Sequence, residues 1–182
     1  PKPTINLDDY DFTLPAELIA QRPLANRSAC RLLVVNRNTG GLADCRFGDL
    51  PSLLRCGDRL VVNNTRVIAA RLLGQRASGG RIELLLHRQL GRTHWECLAK
   101  PAGRLRVGER LDLGQGLSAT LEGRGGEGLV TVSLRSHQPL ARALARVGHV
   151  PLPPYIRRPD TIRDRRDYQS LFARQPGAVA PP

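Results

Sequence analysis

The stretch GDRLVVNNTRVIAAR, residues 57–71, marks the place where the character of the chain changes. Its turn pair Gly57-Asp58 precedes an apolar run, Leu60-Val61-Val62, which we predict to be a strand. Four polar residues separate this run from a second apolar run that starts at Val67. They are Asn63, Asn64, Thr65 and Arg66. A polar cluster in this position is either a plain turn or a strand-end site that binds a ligand, and both interpretations are open.

The residues before this stretch predict two short helices and one hairpin. Residues 15–20 are predicted to form a short helix, because Pro15 suits a first turn. Two apolar runs, at 31–36 and 42–47, flank the turn sequence NTGG and predict a hairpin. Residues 49–54 are predicted to form a brief helix capped by Asp49.

The residues after Val67 are typical of an antiparallel β structure. Short apolar runs recur between glycine-rich turns, and in one of them Ile82, Leu84 and Leu86 alternate as expected of a half-buried strand. Such a series favours a small barrel or a sandwich. The predicted strands are 67–73, 81–88, 94–99, 109–113, 117–122 and 129–134.

Helical periodicity returns after the β runs. Residues 139–147 carry Leu140, Leu144 and Val147 on one face and are predicted to be a helix. Charges of alternating sign over residues 162–172 predict a second, exposed helix, whose arginines suit phosphate oxygens as well as helical ion pairs.

Between these two helices lies a proline-rich connector, GHVPLPPYI, residues 148–156. Its three prolines lack a backbone N–H donor and have a fixed φ, so we predict an extended, stiff segment rather than a strand of a sheet. A stiff segment is able to hold His149 and Tyr155 in fixed positions.

The simplest architecture is of the α+β multidomain class. An α/β domain made from residues 1–65 and 148–182 is interrupted by an inserted small antiparallel β-barrel at 66–147. The inserted segment carries 14 Lys+Arg against 6 Asp+Glu, a net charge of +8, and the whole chain carries +12. An excess this large predicts a polyanionic partner such as RNA or DNA. The alternative is that these charges only solvate the surface of the β domain.

Composition excludes several classes of protein. The chain has 182 residues, of which 41% are hydrophobic and 24% are charged, which is typical of a globular protein and not of a disordered one. No apolar run approaches the ~20 residues that span a bilayer, and the start PKPT has no signal-peptide core. We therefore expect a cytoplasmic protein with no membrane partner.

The cysteines indicate reduced thiols and no bound metal. They lie far apart without a Cys-x-x-Cys pair, so a disulfide scaffold or a zinc ribbon is not expected. His94 and Cys97, with His87 upstream, are a weak metal-binding pattern, and no metal is predicted. The four cysteines are Cys30, Cys45, Cys56 and Cys97.

Three blocks of sequence together carry a family resemblance. The first is DRLVVNNTRVIAAR at 58–71, and the second is GHVPLPPYI at 148–156, followed by Arg158-Pro159-Asp160. The third is Asp167-Tyr168-Gln169, leading into PGAVA at 176–180. In order and spacing these blocks resemble the S-adenosylmethionine:tRNA ribosyltransferase-isomerases of queuosine biosynthesis.

This resemblance implies an α/β domain interrupted by a small β-barrel. It also implies transfer and isomerisation of the ribosyl part of S-adenosylmethionine onto 7-aminomethyl-7-deazaguanine in the anticodon loop of tRNA. The product is epoxyqueuosine, and adenine and methionine are released. The implied partners are therefore tRNA and S-adenosylmethionine, the latter as a co-substrate, and a monomer is favoured.

The same resemblance implies roles for individual residues. Such chemistry needs a base that takes the acidified proton beside the sulfonium, and His149 is the candidate because imidazole exchanges protons near neutral pH. The alternative is a hydrogen-bonded histidine that steadies the connector. Amides and hydroxyls suit sugar and base edges, arginines suit anions, and tyrosine rings stack on unpaired bases. The predicted substrate-binding residues are Asn63, Asn64, Thr65, Arg66, Tyr155, Arg158, Asp160, Tyr168 and Gln169.

Members of this family are about twice as long as this chain. At position 181 the chain carries proline where alanine is common, and members continue beyond it with TAGLHF. We therefore expect the N-terminal half of such an enzyme, with an inactive truncated fragment as an alternative. A further alternative, from another class, is a non-catalytic RNA-binding module in which the basic β domain is the whole function.

Overall fold

The computed structural model describes residues 6–177, in two compact units. One unit comprises Pro1–Arg59 with Pro153–Arg158, and the other comprises Leu60–Leu152 with Pro159–Pro182. The end of the third sequence block, AVA at 178–180, and the proline at position 181 lie outside the described residues. The α/β domain predicted for 1–65 and 148–182 stays a prediction, as do its boundaries.

The first unit contains the predicted hairpin. Strands β1 (Arg31–Val35) and β2 (Leu42–Arg46) pair antiparallel, with Arg31 opposite Arg46. In the turn, the Asn36 side-chain oxygen accepts a hydrogen bond from the Asn38 backbone N–H at 2.9 Å, which is why the asparagine suits this position. The hairpin prediction is confirmed.

The helices of the first unit are shorter than predicted. The segment predicted as a helix at 15–20 forms only the 3₁₀ turn Ala16–Leu18. The segment at 49–54 begins as the 3₁₀ turn Phe47–Asp49 and continues as α1 (Leu50–Leu53). Asp49 does not cap this helix, because its carboxylate instead accepts from the Arg46 backbone N–H at 2.8 Å. Two further 3₁₀ turns are Leu7–Tyr10 and Arg27–Ala29.

The described part of the first unit has no buried side chain. Large apolar residues such as Phe12 and Leu18 are mostly exposed, at 74% and 70%. A helix in a protein is stabilised mainly by packing of an apolar face, and no such face is buried in the described part of this unit. The predicted helices therefore form only as short turns.

The second unit is built around a closed antiparallel barrel of six strands, in the order β4-β5-β6-β9-β8-β7. Of the barrel and the sandwich that the sequence favours, the barrel is confirmed. Alternate residues of the strands point inward, and the leucines predicted from alternation, Leu84 and Leu86, are fully buried. The strands are β4 (Arg71–Arg76), β5 (Arg81–Gln89), β6 (His94–Lys100), β7 (Arg110–Asp112), β8 (Leu117–Arg124) and β9 (Leu129–Ser136).

Two predicted strands around the polar cluster are wrong. The run Leu60-Val61-Val62 is not a strand, and its side chains are exposed, because no segment among residues 6–177 pairs with it. The strand predicted at 67–73 is broken in two. A tight turn, in which Ala70 N–H donates to the Ile68 carbonyl at 2.7 Å, separates β3 (Thr65–Val67) from β4.

The break allows β3 to leave the barrel and pair in parallel with β10 (Gln175–Gly177), with Thr65 opposite Gln175. Helix α2 (Leu140–Val147) follows the prediction, and its Ala143 and Leu144 join the barrel core.

The helix predicted at 162–172 is a single turn, α3 (Asp164–Asp167). Its apolar residues Ile162 and Leu171 are 84% and 66% exposed, so no apolar face is buried that would stabilise a longer helix. Instead, the Asp164 carboxylate accepts from the Thr161 backbone N–H and hydroxyl at 2.6 and 2.8 Å.

The described residues contain neither a metal cluster nor a membrane span. Within 6–177 no three His, Cys, Asp or Glu side chains gather where a metal ion would bind. Cys97 is buried in the barrel, and burial raises the pKa of its thiol to about 12. Over the same residues, no helix combines the length and apolar character needed to cross a bilayer.

Candidate functional site

The polar cluster at 63–66 is both a turn and the start of a strand. The Asn63 side-chain oxygen accepts from the Thr65 backbone N–H at 2.8 Å, which folds the chain locally before β3 begins. The Asn64 carbonyl accepts from the backbone N–H groups of Arg174 and Gln175 at 2.8 and 3.0 Å. The cluster is therefore fixed against the chain segment that forms β10.

Gln169 fixes the same strand from the other side. Its side-chain oxygen accepts from the Val67 N–H at 2.8 Å, and its side-chain nitrogen donates to the Val67 carbonyl at 2.8 Å. The same nitrogen also donates to the Arg165 carbonyl at 3.1 Å. Both hydrogens of the amide are thus committed within the protein, and substrate binding by Gln169 stays a prediction.

A cavity of about 870 Å³ lies beside β3, between the rim of the barrel and helix α2. Arg66 and Gln169 line it, whereas Asn63, Asn64 and Thr65 do not. Of the four polar residues predicted as a site, only Arg66 therefore borders the space that is large enough for a ligand of nucleotide size.

His149 and Asp160 form a hydrogen-bonded pair at the start of the connector. The Nδ1 atom of His149 lies 2.8 Å from one oxygen of Asp160, and the Val150 N–H donates to the other oxygen at 3.0 Å. The Asp160 side chain is 12% exposed and that of His149 is 41% exposed. A carboxylate at Nδ1 orients the ring, and Nε2 is the atom left to exchange a proton.

Strand β4 holds this pair against the barrel. Arg71 and His149 exchange two backbone hydrogen bonds, of 3.1 and 2.8 Å. The Arg71 guanidinium donates two bonds of 2.8 Å to the carboxylate of Glu83. These side-chain bonds raise the pKa of Arg71 and lower the pKa of Glu83, and the negative charge of Asp160 also contributes to raising the pKa of Arg71.

A smaller cavity of about 450 Å³ is lined by His149 and Asp160. Arg165 borders both this cavity and the larger one, and its guanidinium donates to the carbonyls of Ala145 and Gly148. The two cavities are therefore neighbours that share one arginine.

The remaining predicted residues are Tyr155, Arg158 and Tyr168. Tyr155 is 56% exposed, and Arg158 donates from Nε to the Gln21 carbonyl at 2.9 Å, within the first unit. Tyr168 directly follows α3 and is half-buried. The binding roles of these three residues stay predictions.

Sequence reasoning missed three residues of the sites. Arg71 closes the first sequence block but is not among the predicted site residues, although its backbone pairs with His149. Arg92 and Trp95 line the larger cavity but lie in strands and turns that had no motif. The chain has one tryptophan, and its place among arginines was the available signal.

Residues 7–182 match the family described as queuosine biosynthesis protein. The S-adenosylmethionine:tRNA ribosyltransferase-isomerase of Rhodospirillum rubrum is 46% identical over 179 residues, which are 98% of this chain and 51% of the relative. That of Syntrophotalea carbinolica is 48% identical over 180 residues, which are 98% of this chain and 52% of the relative. The chain thus spans about half the length of the curated relatives it matches.

A solved structure is also similar in sequence. The S-adenosylmethionine tRNA ribosyltransferase of Thermotoga maritima is 36% identical, and the match covers 78% of this chain and 48% of that one with a TM-score of 0.39. Because the family match extends over nearly the whole sequence, this chain belongs to the queuosine biosynthesis protein family.

Proposed function

We propose that this chain is the N-terminal half of a tRNA-modifying transferase-isomerase. The enzyme moves the ribosyl part of S-adenosylmethionine onto 7-aminomethyl-7-deazaguanine in the anticodon loop of tRNA. Epoxyqueuosine forms, and adenine and methionine are released. The name shared by the curated relatives, at 46% and 48% identity over 98% of this chain, supports the assignment.

The geometry that carries the proposal is the His149–Asp160 pair with its 2.8 Å contact. In the proposed reaction, Nε2 of His149 takes the acidified proton beside the sulfonium, and Asp160 stabilises the imidazolium that results. Departing adenine needs a proton or hydrogen bonds, which the same imidazolium is able to supply. The 450 Å³ cavity beside the pair offers room for the reacting part of the co-substrate.

In this proposal the barrel is an insertion into an α/β domain whose other part lies in the second half of the relatives. S-adenosylmethionine acts as the co-substrate, and no metal takes part. The enzyme works as a monomer in the cytoplasm, where its tRNA substrate is found. The net charge of +12 supports a polyanionic substrate.

The RNA-binding module considered from charge alone is less well supported. A module whose whole function lay in the basic barrel would need similarity only over the barrel, whereas the match extends over residues 7–182. The alternative of an inactive fragment concerns this chain by itself. It is tested by assaying the chain without the C-terminal half of the relatives.

The assay joins this chain to the C-terminal half present in its relatives and supplies S-adenosylmethionine and tRNA that carries 7-aminomethyl-7-deazaguanine. Nucleoside mass spectrometry is expected to detect epoxyqueuosine, together with free adenine and methionine. The 182-residue chain alone serves as the comparison. Absence of the epoxy nucleoside from the joined protein would contradict the proposed function.

A further inference from the structure

The larger cavity has an apolar floor. Its volume of about 870 Å³ suits a ligand of nucleotide size, because small-molecule sites measure roughly 300–1,000 Å³. Side chains from the turn after β3, from α2 and from the connector form the floor together with the indole ring of β6. They include Ile68, Leu140, Leu144, Val150 and Trp95. Such a surface suits the face of a planar base better than it suits a fully charged ligand.

The rim of the same cavity is cationic. Four arginines line it, and no aspartate or glutamate is found among its described lining residues. One of these arginines lies 3.3 Å from the Glu96 carboxylate, and another donates to backbone carbonyls. In the order of the chain, the four are Arg66, Arg88, Arg92 and Arg165.

Two of these arginines are available for a ligand. Within residues 6–177, neither Arg66 nor Arg92 makes a side-chain hydrogen bond or ion pair, and both are exposed. Arg66 lies on β3, and Arg92 lies in the turn between β5 and β6. Guanidinium groups bind phosphate oxygens through paired N–H donors, so two anionic groups of one extended ligand fit this arrangement.

The indole of Trp95, another residue that lines the cavity, has a buried N–H group. The residue is only 7% exposed, and its Nε1–H is a buried donor that has no hydrogen-bond partner among the described residues. Buried polar groups are nearly always paired, because an unpaired one loses its hydration without compensation. Because Trp95 is also one of the lining residues, a ligand that brings an acceptor to this donor would compensate for the lost hydration.

The backbone of β5 is shaped to present residues at this rim. The register between β5 and β6 shifts between Leu86 and Arg88, which leaves His87 at a β-bulge beside the cavity. Bulges bend a strand and redirect its side chains, and they are frequent at barrel rims next to binding sites.

We infer that this cavity binds one unpaired nucleotide of the RNA substrate. Its base lies on the apolar floor, the Trp95 N–H donates to an acceptor on the base or sugar, and the flanking phosphates pair with Arg66 and Arg92. This inference rests on the proposed function, since it assumes that the substrate is an RNA chain.

Electrostatics selects RNA over S-adenosylmethionine for this cavity. The co-substrate carries a sulfonium and an ammonium group against one carboxylate, and is therefore a net cation. A cavity with four arginines and no lining carboxylate repels a cation and attracts the backbone of a nucleic acid. The cavity that contains Asp160, on the other side of Arg165, is the better place for the co-substrate.

The single tryptophan of the chain allows a direct test. Emission of Trp95 is recorded while the 182-residue chain is titrated with a short single-stranded RNA, and in separate titrations with S-adenosylmethionine and with inorganic phosphate. RNA is expected to change the emission with saturation, and S-adenosylmethionine is not. Saturable change with S-adenosylmethionine but not with RNA would overturn the inference.

Variants test the individual contacts by anisotropy of a labelled RNA. Arg66→Gln and Arg92→Gln are each expected to reduce the slope of log affinity against log salt by about 0.7. Trp95→Phe keeps the ring and removes the donor, and is expected to weaken binding by roughly three- to tenfold. Arg81→Gln is the matched control, because Arg81 is exposed at the opposite end of β5 and lines none of these cavities.

Thermal unfolding of each variant checks that the fold is retained, and the two surface arginines keep the test valid if Trp95→Phe unfolds. Wild-type affinity and salt slope in both arginine variants would overturn the inference. This test of the cavity can fail while the proposed function holds, and the reverse is also possible. RNA that binds in the cavity without formation of epoxyqueuosine contradicts the reaction alone, whereas product formation with unaltered Trp95 emission contradicts the cavity alone.

Discussion

At the scale of single residues, the structure is compatible with both a structural role and a proton-transfer role for His149. The contact with Asp160 steadies the connector, since Asp160 also accepts from the Val150 N–H. The same contact leaves Nε2 of His149 directed away from Asp160 and able to act as a base. A structural role and a proton-transfer role therefore use different atoms of one ring.

Replacement of His149 by alanine distinguishes the two roles. In the protein joined to the C-terminal half present in its relatives, His149→Ala is expected to lower the single-turnover rate constant by about 10²- to 10⁴-fold, because general acid–base catalysis supplies a factor of this size. Single-turnover formation of epoxyqueuosine measures the effect. His137→Ala, at an exposed position, is the control. A variant with an unchanged rate and a lower melting temperature would show that His149 only steadies the connector.

At the scale of the elements, the ion pair of Arg71 with Glu83 links β4 to β5, and the backbone of Arg71 pairs with His149 of the connector. The carboxylate of Glu83 is partly buried, and its hydrogen bonds with Arg71 lower its pKa below the ordinary value of 4.5. A lowered pKa means that the folded state favours the ionised carboxylate. The stabilisation is thus present above pH 4.5 and is lost as the pH falls through the pKa of the folded state.

Glu83→Gln tests this coupling. The variant is expected to lose about 1 kcal/mol of unfolding free energy at neutral pH, a value limited by the partial exposure of the pair. The difference from the wild type should shrink as the pH falls below 4.5, because the wild-type carboxylate then becomes neutral as well. Urea unfolding at several pH values measures both. In the exposed Glu127→Gln control, a loss of equal size would show that the effect is unspecific.

The elements also show what the sequence was able to predict. The alternation of Ile82, Leu84 and Leu86 indicated a half-buried strand, and strand pairing enforces that pattern wherever one face is buried. The turn at 38–41 was equally readable, because its local hydrogen bonds are made within residues 36–41.

The failures have a common physical cause. Leu60-Val61-Val62 has the composition of a strand, but strand formation needs a partner, and no partner is found for it within 6–177. In the same way, nothing local in the sequence indicates that the Gln169 amide pairs with Val67, which lies 102 positions away. Contacts this distant in sequence leave no local pattern. The pairing of His149 with Asp160 could only be guessed from their shared sequence block.

At the scale of the whole molecule, the two units differ in how much they bury. The core residues of the described chain all belong to the second unit, whereas the first unit contains a two-stranded sheet and short helical turns. Two strands without a packed face are marginally stable in water. We therefore expect unequal protection of the two units in the 182-residue chain.

Amide hydrogen exchange followed by mass spectrometry checks this expectation. Amides of β5, β6, β8 and β9 are expected to exchange on the order of 100-fold more slowly than those of β1 and β2, because exchange from the barrel requires opening of the core. Joining the C-terminal half of the relatives should increase protection in the first unit if that half packs against it. Equal exchange in the two units would contradict the expectation.

The parallel pairing of β3 with β10 has a consequence for the order of folding. It joins Thr65–Val67 to Gln175–Gly177 around the whole barrel, and closing so long a loop costs chain entropy unless the intervening residues are already compact. The barrel hairpins, by contrast, join residues that are close in sequence and form without this cost. During synthesis, Arg66 therefore reaches its place beside the cavity only after the barrel is complete and the segment carrying β10 has left the ribosome. We therefore expect a nascent chain to have a folded barrel before it has the complete cavity.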